Sequence, residues 1–299
     1  MGRTRHLSVN LGVSAALAAA VLIMPRAAAA HEWQWGGKLD LTRGVANVEG
    51  AGGGGLATWA LITGNETRDG IGGEASATYA GLRDYSLRVF GGGVGFFDRA
   101  EATVARASFD TGATGAKLGL GRDFTFDQTI VGGKLRLFGD AVYAQDSWLP
   151  QVSAGLQYKA NDRGAVVRAV GGHDDQGVDY YLAGTKILLD RSLVLSGSLR
   201  ETRANQFGFL GFGGDKHSGY TAQFEGSAAY LATSRLALGA EYRSKPDNLG
   251  FAHESDWYDV FGAYAFNKHL SATLAYVDAG SVATFTAQRG VYLSLQAGF

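Results

Sequence analysis

The sequence predicts an all-β protein: a transmembrane antiparallel β-barrel of the bacterial outer membrane, most simply of fourteen strands, or twelve if the N-terminal segment is a plug. Three observations carry that prediction. Apolar and polar residues alternate with period two over segments of about ten residues. Short connections alternate with long ones, as in barrels with brief periplasmic turns and longer outer loops. The chain also ends on a strand-like run, Val291 to Phe299, in which every second position counted back from Phe299 is apolar.

Composition narrows the alternatives. The chain has 299 residues with 45 Gly, 3 Pro and no Cys, and its charged fraction of 18% lies below the roughly 25% of soluble domains. Without Cys there is no disulfide framework, zinc-thiolate centre or cysteine nucleophile. A mean hydropathy of −0.04 with no apolar run of about 20 residues in the region after residue 30 argues against a helical membrane protein. The glycines have no three-residue period, so they belong to strands and turns.

Residues 1–30 read as a cleaved signal peptide. Arg3, Arg5 and His6 form a basic start, Leu11 to Met24 an apolar stretch, and Ala28-Ala29-Ala30 a small-residue cleavage site. Removing Arg3, Arg5 and Arg26 takes the formal net charge from −1 to −4, and no basic patch suggests nucleic acid. Residues 31–299 then form one barrel domain, exported through the periplasm of a Gram-negative cell.

Strands are predicted at 38–49, 55–63, 71–80, 85–95, 100–109, 128–138, 148–159, 178–189, 193–203, 218–231, 235–244, 257–266, 270–278 and 290–299. In 235–243, Leu236, Leu238, Ala240 and Tyr242 oppose Ala237, Gly239, Glu241 and Arg243; 152–159 and 270–276 alternate in the same way. The first strand is the least secure: residues 38–55 serve equally as an N-terminal plug, because the run Gly50 to Gly55 is either a tight turn or a flexible hinge. Short turns at 190–191, 233–234 and 267–269 separate longer connections at 110–127, 160–177, 204–217, 245–256 and 279–289, with 139–147 as the exception. Within the 160–177 connection a short helix is predicted, with Asp162 as N-cap and Gly171 near its end. Tyr158, Tyr230, Tyr242, Trp257, Tyr264, Phe266 and Tyr276 sit at strand ends, where aromatic girdles are found.

The segments GGKLDLTRGVANVEGAGGGGL (36–56), LPQVSAGLQYKANDRGAVVRAVGG (149–172), TRANQFGFLGFGGD (202–215), EYRSKPDNLGF (241–251), NKHLSATLAYVD (267–278) and the final YLSLQAGF resemble a family of proteobacterial outer-membrane proteins known only as a domain of unknown function. The resemblance covers essentially the whole of residues 31–299. It implies a barrel and an outer-membrane address, and it carries no activity, substrate or catalytic residue. The alternating Val291, Leu293, Leu295, Ala297 and Phe299 resemble the signal that barrel-assembly machinery reads. Lipid, lipopolysaccharide, that machinery and periplasmic chaperones are the expected partners.

Charged residues within strands are expected to point into the lumen, since Arg or Lys on the lipid face costs about 2–4 kcal/mol near the midplane. That set is Glu74, Arg88, Glu101, Lys134, Arg136, Lys159, Lys186, Arg200, Glu225, Glu241 and Arg243, seven basic and four acidic. Its basic excess suggests a passive pore for small polar or anionic solutes. Pairing of the same charges across the lumen would instead give a closed structural or interaction barrel, accessory to envelope or surface-polysaccharide assembly. In the glycine-rich connection 204–217, Phe207, Phe209 and Phe212 are candidates for a constriction. Catalysis is not expected, although His173-Asp174-Asp175, Asp215-Lys216-His217-Ser218 and His253-Glu254-Ser255-Asp256 place acids beside histidines and keep an outer-rim hydrolase as a third reading. No metal or cofactor is expected.

Overall fold

A computed structural model describes residues 37–43, 45–117 and 119–299; the predicted signal peptide lies outside them. Two short strands, β1 (Val45–Ala46) and β2 (Gly52–Gly53), pair as a hairpin. The barrel strands are β3 (Ile71–Leu82), β4 (Ser86–Phe96), β5 (Ala100–Asp110), β6 (Thr125–Phe138), β7 (Gln151–Asn161), β9 (Gln176–Leu188), β10 (Leu193–Thr202), β12 (Thr221–Thr233), β13 (Leu236–Arg243), β14 (Trp257–Ala265), β15 (Leu270–Asp278) and β16 (Arg289–Gly298). They close into one antiparallel barrel, with β16 pairing β3 to seal the ring. A small two-stranded antiparallel sheet pairs β8 (Gly172–Asp174) with β11 (Phe212–Gly214) between two of the long loops.

The barrel therefore has twelve strands, the count that follows when the N-terminal segment is a plug. The predicted strands at 38–49 and 55–63 are not in the wall. Thr42, Arg43, residues 46–49 and residues 56–63 are buried, and they run through the lumen. The period-two pattern that produced them is weak and glycine-interrupted, whereas a wall strand needs one face in lipid.

Alternation works as predicted around the wall. Phe90, Val104, Leu199 and Leu274 are exposed on the outer face, while Val89, Ala105, Arg200 and Ala275 beside them are buried. In β16, Val291, Leu293 and Leu295 are exposed, whereas Tyr292, Ser294 and Gln296 point inward and are buried. Of the C-terminal positions, Ala297 and Phe299 are half-buried.

The wall's ends differ. The turns 97–99, 189–192, 234–235 and 266–269 lie at the end where β16 finishes, together with the longer loop 139–150; the opposite end carries the short turn 83–85 and the longer loops 111–124, 162–175, 203–220, 244–256 and 279–288. By the loop-length rule the first end is periplasmic and the second extracellular. At the periplasmic end Phe97 and Asp98 both have positive φ, in a three-residue connection closed by the Arg99 N–H on the Phe96 carbonyl at 2.9 Å. Two short helices, α1 (Gly112–Lys117) and α2 (Gly164–Ala169), sit in the extracellular loops. The second falls where a helix was predicted, but it starts at Arg163 without a side-chain cap. Asp162 instead accepts the Asp127 N–H at 2.9 Å.

Candidate functional site: the plugged lumen

The described residues of 42–66 occupy the lumen, with 37–41 at its periplasmic mouth. An irregular chain there must find partners for its backbone amides, and wall side chains supply them. Glu101 accepts the N–H groups of Gly52 (3.2 Å) and Thr63 (2.9 Å). Glu241 accepts from Leu56 (2.6 Å), Glu225 from Thr58 (2.7 Å) and the Thr185 hydroxyl from Ala60 (2.8 Å). In the other direction Lys134 donates to the carbonyls of Gly52 and Leu61, both at 2.8 Å, and Gln151 and Ser153 donate to that of Ala60. Wall glycines permit the close approach. A Cβ at Gly95 would stand 2.1 Å from the Thr63 carbonyl oxygen, and one at Gly72 within 2.8 Å of two plug amide nitrogens. The high glycine content thus has a specific use where plug meets wall.

At the centre, Glu49 of the plug enters a cage of three wall cations. Arg243 donates to it at 2.7 Å, Lys159 bonds it closely and Arg200 stands 3.5 Å away. Two further wall acids complete the cluster. Asp179 takes Lys159 at 2.6 Å and Arg200 at 3.3 Å, while Glu225 takes Arg200 at 2.6 Å and Arg243 at 3.3 Å. Three positive and three negative groups, all buried, therefore balance only while Glu49 is present. Removing one member of such a cluster leaves an uncompensated buried charge, a cost of about 3–5 kcal/mol.

Nine of the predicted lumen residues do face inward: Glu74, Glu101, Lys134, Arg136, Lys159, Arg200, Glu225, Glu241 and Arg243 are all buried. Two do not. Arg88 is exposed on the outer face of β4, between the buried Leu87 and Val89 and opposite Tyr79. It lies three residues into its strand, where a guanidinium reaches the interface. Lys186 shares the outward parity of its register partner Leu195. Its ammonium is covered by the carbonyls of Asp140 (3.3 Å) and Ala144 (2.6 Å) in the periplasmic loop. Sequence reasoning also missed two inward acids, Asp179 and Asp259, although each sits on the buried parity of a predicted strand. The inward wall then carries five basic and six acidic side chains, and the anion bias inferred from the sequence disappears.

Each mouth has its own fastening. At the periplasmic end Arg136 binds Asp98 closely and Asp140 at 3.2 Å, and Lys38 pairs with Glu66 at 3.1 Å. Burial pushes the Glu66 carboxyl up to about 7, against the pull of Lys38. At the extracellular end Phe207, Phe209 and Phe212 are buried rather than exposed. Phe207 meets Trp257 edge-on at 4.4 Å with the Arg243 guanidinium 4.1 Å above its ring, and Phe209 stacks on Phe109 at 5.3 Å. Gln128 holds the Phe207 carbonyl, and Asn161 those of Gly208 and Phe209. The connection thus folds down onto the plug. Nearby, Lys245 pairs with Glu254 at 3.3 Å; burial lowers the lysine to about 8 despite that carboxylate.

His253 lies 3.2 Å from Asp247, but the Ser255 hydroxyl accepts the Ser281 N–H at 2.7 Å.

Among solved structures the chain is similar to the KdgM porin, with a TM-score of 0.50 and 10% identity over 76% of this chain and 99% of that one. It is also similar to an outer-membrane channel from Pseudomonas putida F1, with a TM-score of 0.47 and 10% identity over 76% and 93% of the two chains. At such identity the porin likeness shows the barrel fold alone. A search of curated proteins finds no match. The family described as protein of unknown function (DUF3034) matches residues 42–296. An outer-membrane barrel whose sequence follows that family over nearly all its wall and plug belongs to DUF3034.

Proposed function

We propose that the protein is a gated outer-membrane pore for small polar solutes, closed by its own residues 42–66 in the conformation described. The carrying observation is the chemistry of the plug seat. Glu49 is held by Lys159, Arg200 and Arg243, and five plug amides are held by wall side chains. Ions and amides can exchange protein partners for water when a segment leaves, whereas a permanently filled lumen is built at lower desolvation cost from hydrocarbon. Once vacated, the wall presents five basic and six acidic groups, so discrimination by charge is weak and solutes of either sign pass.

The density of cross-lumen pairing favours a second reading, a permanently closed barrel serving envelope or surface-polysaccharide assembly. The two separate on plug mobility. The chain has no Cys, so Ala57→Cys places a single thiol on the buried plug. Under the gating account a membrane-impermeant maleimide labels it slowly in folded protein, and faster when Glu49→Gln is added. Labelling only after the barrel unfolds supports the closed barrel.

A further inference from the structure

Five wall charges form a row around the seat of Glu49. Lys159, Asp179, Arg200, Glu225 and Arg243 lie on the consecutive neighbours β7, β9, β10, β12 and β13. Their signs alternate, and the row begins and ends on a cation. Each member is paired with the next: Lys159 with Asp179, Asp179 with Arg200, Arg200 with Glu225 and Glu225 with Arg243. The row belongs wholly to the wall, so these pairs hold the three cations in place without help from the plug. It also carries one positive charge more than it balances. Among the described residues no ion pair links these cations to Glu241 or Asp259, the acids beside the row on β13 and β14.

Glu49 meets that surplus as a ligand would. One carboxylate oxygen takes Lys159, and the other takes Arg243 at 2.7 Å and Arg200 at 3.5 Å. Its main-chain carbonyl accepts from Gln157 at 3.2 Å, and Arg200 holds that amide by donating to its Oε1 at 2.8 Å. Charge-assisted contacts to both oxygens select a carboxylate by geometry as well as by charge. Apolar surface lies beside the cations, where the Tyr181 ring stands 5.2 Å from the Arg200 guanidinium and the Phe207 ring 4.1 Å from that of Arg243.

Resting on the gated-pore reading, we propose that this seat is the pore's solute-binding site, that its solute is a small monocarboxylate, and that Glu49 is a built-in mimic of that solute. The wall as a whole discriminates weakly by charge, but the seat does not. One carboxylate restores neutrality there, whereas a neutral solute leaves the surplus and a cation adds to it. A solute that binds only the vacated seat shifts the plug toward release.

Two titrations test this, with sodium acetate as the probe and acetamide and sodium chloride at matched concentrations as controls. Glu49→Ala removes the carboxymethyl group that acetate supplies. The urea midpoint of the refolded variant is expected to rise saturably with acetate, at least threefold more than with either control, and to lose that response when Arg243→Met removes the surplus charge. If the variant refolds only in part, its refolding yield carries the same comparison. Equal responses to acetate and either control, or a response that survives Arg243→Met, would overturn the assignment. In the Ala57→Cys chain with Glu49 intact, acetate at the saturating concentration should speed maleimide labelling at least threefold, and acetamide should not. Labelling indifferent to acetate overturns the solute site and leaves the gate standing. No labelling of the folded barrel under any condition removes the gate, and the solute site with it.

Discussion

Glu49 and Arg243 lie 194 positions apart in the chain and 2.7 Å apart in space, joining the plug to the last residue of β13. The bond defines the closed state, because it places the plug's central carboxylate among cations that have only two other acids to share.

Glu101 and Lys134 form a second joint, 3.1 Å apart, and each also holds plug backbone. Lys134→Met leaves a buried carboxylate without its cation and is expected to cost about 3–5 kcal/mol, whereas the double change with Glu101→Leu costs less than the two single losses together. Urea midpoints of the refolded barrels measure this. Simple additivity would mean that the pair is not coupled.

Leu274 is in the middle of β15 and 59% exposed, so its side chain faces the hydrocarbon. Leu274→Arg should lower stability in lipid by about 2–4 kcal/mol, while Arg88→Leu on the same outer face near the rim should be close to neutral. An equal loss at both sites would displace the membrane band assigned to the wall.

Gly208 has a φ of +103°, and a Cβ there would meet Gln128 Nε2 at 2.3 Å and the Phe212 ring at 2.7 Å. Gly208→Ala is therefore expected to lift the loop that carries Phe207, at a cost of about 1–3 kcal/mol. Protease cleavage within 203–220 should become several-fold faster without loss of the barrel. Unchanged cleavage would show that the loop is not held by this contact.

The pH response follows from Glu66. Burial raises its carboxyl to about 7 from the ordinary 4.5, so the seated plug binds more protons than the released one between those values. Seating therefore weakens as pH rises through that window, and is level above and below it. The Ala57→Cys labelling rate, divided by the rate for Ala57→Cys with Glu66→Gln to remove thiol chemistry, should rise by at most about tenfold per pH unit between 5 and 7. A flat ratio would remove Glu66 from the fastening.

The wall was legible in the sequence because lipid imposes a period of two that nothing inside the barrel can override. For that reason Lys159, Arg200 and Glu225 could be placed inward. The errors occur where another force decides. Arg88 and Lys186 are near strand ends, where a long side chain reaches the interface or a loop carbonyl, so charge no longer implies the lumen. Asp179 and Asp259 obeyed the alternation but were passed over among the tyrosines of their strands. The plug resisted reading because its partners are distant in sequence: nothing near Glu49 indicates Lys159, Arg200 or Arg243. The glycine run at 50–55 was its one local sign, and the Phe207 loop showed aromatics without showing that they turn inward.

Single-channel recording in a planar bilayer, comparing the refolded chain with its Glu49→Gln variant, tests the gate most directly. The account predicts a wild-type barrel that is closed nearly all the time, with rare openings, and a variant with the same unit conductance and an open fraction at least tenfold higher. A variant as silent as the wild type, in barrels shown to be folded, would contradict the gate and leave the lumen permanently closed.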